Sequence, residues 1–156
     1  MTIEDDIAFL ERIPSFALLG RPALRILAMG AETRRLQVEE VLFYAGDQAD
    51  SGFVVQDGSL VLKPDTSEDT AQEVIVGRGV LLGELALLID TVRPVTAKAV
   101  ERTTVMRMSR SLFLKMLEGF PDAARRLRDH IAARAEQTAN EMFSVRETLG
   151  PNPDRR

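Results

Sequence analysis

The sequence has no cysteine, no tryptophan, one tyrosine and one histidine, His130, in 156 residues. Without cysteine there is no disulfide, no thiolate nucleophile and no cysteine-ligated metal. A lone histidine excludes a histidine-rich metal site as well. Aromatic residues make up 5% of the chain, too few for a platform on which bases stack. No apolar run approaches about 18 residues, so no membrane-spanning helix is expected. The N-terminal stretch MTIEDDIAFL is acidic where a signal peptide is basic, and a cytoplasmic protein is expected. The net charge, 20 − 24 = −4, argues against general nucleic-acid binding. Neither His130 nor any pair of carboxylates forms a recognisable acid–base arrangement, so an enzyme is not expected.

What is present is an ordinary globular composition, 45% hydrophobic and 28% charged. Ile3, Ile7, Phe9 and Leu10 are spaced for a short amphipathic helix, interrupted at Ile13-Pro14. A second helix is predicted from Pro22 to Met29, closed by Gly30. The middle third holds β-like runs at Leu36–Val38, Val41–Tyr44, Phe53–Val55, Leu60–Leu62, Val74–Val76, Val95–Ala99 and Thr104–Met108. Turn residues separate them, and the spacing predicts an antiparallel barrel or jelly roll of about eight strands. Gly46, Gly58, Gly77 and Gly79 are expected at positive φ. Asp47 and Asp50 are expected to cap turns, and Tyr44 and the phenylalanines to lie in the core. The acidic stretch Asp65–Gln72 reads as a hairpin tip.

The last third is helical. Ser109 or Ser111 caps a helix to about Glu118, Gly119 ends it, and Pro121 opens a longer helix that runs to about Thr148. The expected fold is therefore α+β, mainly β. One domain covers residues 1–149, with N-terminal helices over 1–30, the barrel over 34–108 and C-terminal helices over 110–149. Residues 150–156 read as a disordered tail.

One segment carries chemistry: Gly77-Arg78-Gly79-Val80-Leu81-Leu82-Gly83-Glu84-Leu85-Ala86-Leu87-Leu88, followed by Arg93. A strand before spaced glycines imitates a dinucleotide fingerprint, but Pro94 arrives too soon for a crossover helix and the neighbouring strands read as antiparallel. The segment reads instead as a glycine-rich turn into one or two turns of helix, whose first N–H groups attract phosphate. Arg93 can supply a paired guanidinium contact to the anion. Glu84 beside a phosphate site makes sense as an acceptor for a hydroxyl, such as a ribose 2′-OH. A plain surface ion pair between Glu84 and Arg93 is the bland alternative.

Two motifs resemble the cyclic nucleotide-binding domain of catabolite activators, cyclic-nucleotide-dependent kinases and gated channels. The first is Gly46-Asp47-Gln48-Ala49-Asp50-Ser51-Gly52-Phe53-Val54-Val55-Gln56-Asp57-Gly58. The second, similar to the family's phosphate-binding cassette, is Gly83-Glu84-Leu85-Ala86-Leu87 through Arg93-Pro94-Val95-Thr96-Ala97. The resemblance implies that Glu84 binds the ribose 2′-OH and Arg93 the cyclic phosphate. It implies backbone contacts from Gly83, Leu85 and Ala86, with Pro94, Val95 and Thr96 completing the cassette. It also implies a final helix closing over the base, where Arg134 and Thr138 match an arginine and a hydroxyl near the nucleotide. Pro94 departs from the pattern: the family usually has Ser, Thr or Ala there, whose N–H helps hold the phosphate, and proline has none. Losing one hydrogen bond to a charged group costs about 1.5–3 kcal/mol.

On the final helix Ile131, Ala135, Thr138, Met142, Val145 and Leu149 form a seven-residue repeat that suits a two-helix seam or packing on the chain's own barrel. A parallel homodimer, as activator-type relatives make, is expected. Because the chain ends at Arg156, no recognition helix follows and direct DNA binding is not expected. The resemblance implies a sensor of cAMP, or of cGMP, that requires no cofactor and signals to a partner protein by helix movement. The rivals are a degenerate dimeric interaction module that binds no nucleotide, and a regulatory fragment of a DNA-binding protein.

Overall fold

The structure, a computed structural model, describes residues 2–64 and 73–134. Three short helices come first: α1 (Ile3–Glu11), α2 (Pro14–Ala17) and α3 (Arg21–Gly30). Thr2 and Asp5 cap α1 reciprocally, each side chain taking the other's backbone N–H. Pro14 both ends the first helical run and opens α2, its fixed φ suiting the first turn. That short helix is absent from the sequence reading, because four residues carry no periodicity.

Among the described residues ten strands follow: β1 (Glu32–Leu36), β2 (Val41–Phe43), β3 (Gln48–Ala49), β4 (Ser51–Asp57), β5 (Ser59–Pro64), β6 (Val74–Gly77), β7 (Leu81–Leu82), β8 (Thr91–Val92), β9 (Val95–Ala99) and β10 (Thr103–Ser109). Eight of them divide into two four-stranded antiparallel sheets, ordered β1-β10-β4-β7 and β2-β9-β5-β6. β3 and β8 form a separate two-stranded ribbon. The eight-stranded jelly roll predicted from the sequence is thus present, as two sheets.

β4 and β10 are the central pair of the first sheet, and their alternation explains two cores. Phe53, Val55 and Val105 point into the space between the sheets, with Phe43, Leu60, Ala97 and Ala99 opposite. Val54, Met106 and Met108 point the other way, onto Leu10, Phe16, Leu24 and Phe113 of the helical layer. A strand buried on both faces reads as a continuous apolar run rather than an alternating one.

Three expectations are corrected. The first strand ends at Leu36 instead of beginning there. Beyond it Val38 is exposed and Glu39 turns the chain at positive φ. As an edge strand with a polar outer face, β1 needs no apolar alternation to announce itself. Tyr44 is exposed, not core, because it lies past the end of β2 in the turn to β3. Gly77 ends β6 without a positive φ, whereas Gly46, Gly58 and Gly79 do adopt one.

α4 (Arg110–Gly119) follows β10 directly, with the Ser109 hydroxyl accepting from the Leu112 N–H at 3.1 Å. Ser109→Ala is expected to cost about 1 kcal/mol, read as a lower urea midpoint at unchanged slope. Residues 121–134 are helical, so Pro121 begins a helix as predicted. The expectations for 65–72 and for everything past 134, including Thr138 and the tail, lie outside the described residues.

Candidate functional site

Arg93 occupies the turn between β8 and β9, and the first sequence motif builds its seat. The Gly46-Asp47 turn grips its backbone: Arg93 N–H donates to the Asp47 carbonyl and Gly46 N–H to the Arg93 carbonyl, each at 2.8 Å. Asp47 itself caps that turn through the Tyr44 N–H. Further along, the Ser51 hydroxyl accepts from Arg93 Nη2 at 3.2 Å. Its guanidinium lies 4.5 Å and 5.3 Å from the ring centroids of Phe43 and Phe53, a cation–π seat. Asp50 forms an ion pair with Arg107 at 3.4 Å instead of capping a turn with its side chain.

The Arg93 side chain is buried, 5% exposed. Its Nη1 is buried with no hydrogen-bond partner among the described residues. Burial pushes its pKa below the ordinary arginine value, opposed mainly by the charge of Asp50. A guanidinium nonetheless stays protonated in proteins. An unpaired buried cation is a costly arrangement, and it needs a reason.

A cavity of about 360 Å³ supplies one. Gly83, Glu84, Leu85, Ala86, Arg93 and Pro94 line it together with Ala49, Thr91 and Val92. Its size falls in the range of small-molecule sites. Gly83 has φ +84°, and a Cβ there would stand 2.6 Å from Arg93 Nη1 and 2.9 Å from the Ser51 carbonyl oxygen. Only glycine lets the backbone approach the guanidinium so closely. Beyond Glu84 the chain makes a 3₁₀ turn, Leu85–Leu87, the helical turn expected from the sequence.

Glu84 and Arg93 do not pair, which removes the surface ion pair between them. Glu84 binds Arg134 instead, whose Nη1 donates to Oε1 at 3.0 Å and to Oε2 at 3.2 Å. Val95 and Thr96 lie on β9 beside the cavity and are not among the residues lining it. The Thr96 hydroxyl accepts from the Ala45 N–H at 2.9 Å, tying β9 to the residue just ahead of the first motif.

The sequence reading missed Ser15, Ser51 and Arg110. Arg110 at the start of α4 donates to the carbonyls of Ala86 and Ala49, at 2.8 and 2.5 Å, and pairs with Asp90 at 2.6 Å. It thereby ties the 3₁₀ turn to the β3–β8 ribbon. No local pattern distinguishes it from any arginine at a helix start. A larger groove of about 620 Å³ lies elsewhere, lined by Asp6, Asp57, Arg35, Arg78, Gln56 and two threonines. Its two guanidiniums are matched in number by two carboxylates, so its lining offers an anion no net charge.

The family model for the cyclic nucleotide-binding domain matches residues 33–120, more than half of the chain. The chain belongs to the cyclic nucleotide-binding domain family. It resembles a cyclic nucleotide-binding-like protein of Brucella abortus, 37% identical, with a TM-score of 0.65 over 73% of this chain and 98% of the other. It also resembles the N-terminal domain of a transcriptional regulator from Streptomyces coelicolor, 26% identical, with a TM-score of 0.77 over 86% and 94%. A protein described as a potassium channel from Rhodopseudomonas palustris is 24% identical over 129 residues. That match takes in 83% of this chain and 31% of the channel protein's length. Among the described residues, no helix is long and apolar enough to cross a membrane.

Proposed function

We propose that this domain is a sensor that binds a cyclic nucleotide, cAMP in the first instance, and passes occupancy to a partner protein through its helices. The observation that carries this reading is the buried Arg93 guanidinium, with one nitrogen unpartnered, on the wall of the cavity. A cyclic phosphate carries one negative charge and exocyclic oxygens that match the guanidinium. Glu84 takes the ribose 2′-OH, and the N–H groups of Leu85 and Ala86, at the start of the 3₁₀ turn, have no partner within that turn and add donors. Pro94 removes one further donor and weakens the site by about tenfold to a hundredfold. Ligand prefers the state in which the last helix is docked, and that preference sets the size of the response. The Glu84–Arg134 contact supports the idea that residues 121–134 take part.

A thermal-shift panel with cAMP, cGMP and cyclic dinucleotides tests this. At 100 times its dissociation constant a ligand stabilises by about 2.7 kcal/mol. For a domain of this size that is about 5–10 °C. Glu84→Gln is expected to lose most of the shift. No shift with any ligand at millimolar concentration would favour the second reading, a module that binds no nucleotide, which Pro94 motivates.

Dimerisation through the seven-residue repeat is also proposed. Of its six positions only Ile131 is described, and it packs against the chain's own helical core. Sedimentation velocity across a concentration series distinguishes monomer from dimer.

A further inference from the structure

Glu84 joins three distant parts of the chain. It precedes the 3₁₀ turn, it takes Arg134 from the last helical stretch, and it takes Ser15 from α2. The Ser15 hydroxyl donates to Glu84 Oε2 at 2.6 Å across 69 residues of sequence. Ser15 is 4% exposed, and a hydroxyl donating to a carboxylate makes a short, strong bond. The Arg134 side chain is 58% exposed, so its pairing with Glu84 is of the weak, solvent-screened kind. Ser15 is therefore the donor that fixes the carboxylate. Oε2 receives both Ser15 and Arg134, whereas Oε1 receives Arg134 alone. A carboxylate oxygen has two lone pairs, which leaves Oε1 able to accept from a ligand hydroxyl.

We propose that Ser15 is a positioning residue of the nucleotide site, holding Glu84 through Oε2 so that Oε1 accepts the ribose 2′-OH. This rests on the reading of Glu84 given above. It makes the N-terminal helices a part of the site. The phosphate end of the ligand does not depend on Ser15, so the effect of its loss is confined to one ligand atom.

Isothermal titration of the full chain and of Ser15→Ala with cAMP and with 2′-deoxy-cAMP tests the proposal. Ser15→Ala is expected to weaken cAMP about tenfold or more and to leave the affinity for 2′-deoxy-cAMP unchanged. Equal losses for both ligands, or no loss for either, would overturn it. If the unmodified chain binds neither ligand, the nucleotide reading fails, and the hold on Glu84 is read without ligand. Thermal midpoints of Ser15→Ala, Glu84→Ala and the double variant then form a cycle. A departure from additivity of about 2–4 °C supports Ser15 as the residue that holds Glu84, and additive shifts overturn it.

Discussion

Replacing Arg93 with methionine is expected to raise the stability of the ligand-free protein while abolishing nucleotide binding. Such opposite signs come from what Arg93 gives up. Its guanidinium is buried, has no ion pair among the described residues and leaves Nη1 without a partner. An unsatisfied buried group costs about 1–3 kcal/mol, more when charged. Methionine fills a similar stem, and its sulfur makes favourable contacts with aromatic rings such as Phe43 and Phe53. Against this stand the lost cation–π contacts, about 0.5–2 kcal/mol, and the hydrogen bond to Ser51. The charge raises the cost of burial above these losses, and a rise of about 2–4 °C in thermal midpoint is expected. Removing Arg93, the one cation among the described residues that line the cavity, costs a bound phosphate about 2–5 kcal/mol, or about 30-fold to several-thousand-fold in affinity. Differential scanning calorimetry with and without cAMP reads both. A lower midpoint without ligand would mean that the aromatic seat, rather than ligand, accounts for the buried arginine. Arg93→Lys keeps the charge but not the planar fork, and is expected to weaken binding without the gain in stability.

The second large effect separates two glycines with the same backbone angle. Gly46 and Gly58 both have φ +90°, and an alanine at either is strained by about 1–2 kcal/mol. At Gly46 a Cβ would meet nothing within 4 Å. At Gly58, in the β4–β5 turn, it would run into the Arg102 carbonyl oxygen, and would stand 2.6 Å from Thr103 Oγ1 and 2.7 Å from Thr103 Cα. Thr103 is buried, and its hydroxyl bonds Ser59 in this turn and the Glu101 carbonyl in the β9–β10 connection. Neither the carbonyl nor the Cα can swing aside. Gly46→Ala is therefore expected to cost about 1 kcal/mol and Gly58→Ala above about 3 kcal/mol. Urea unfolding of the two variants checks this, and equal midpoints would show that the β4–β5 turn has room the structure does not indicate.

The comparison also shows what a sequence conveys. Gly46 and Gly58 look alike as turn glycines, and only the packing of β10 against the turn tells them apart. Tyr44 follows an apolar run and reads as core, yet it lies one residue past the end of β2, in water. Leu36 and Val38 look like a strand because they alternate, while the true strand, Glu32–Leu36, is polar. An edge strand is specified by its partner's hydrogen bonds and needs no apolar face of its own.

The sequence by itself determined the order of helices, strands and helices, the jelly roll, and the glycine turn with its short helical turn ahead of Arg93. These are local properties: period-two apolar runs, glycine and proline punctuation, and a charge pattern over a dozen residues. The tertiary structure alone decided the partners. Arg93 and Glu84 share one short segment, and spacing allows them to pair. Instead Arg93 turns onto Phe43, Phe53 and Ser51, and Glu84 turns to Ser15 and Arg134. Which of these a side chain meets depends on how the two sheets and the helices stack, and hydrogen bonds spanning 42, 50 and 69 residues leave no trace in local sequence.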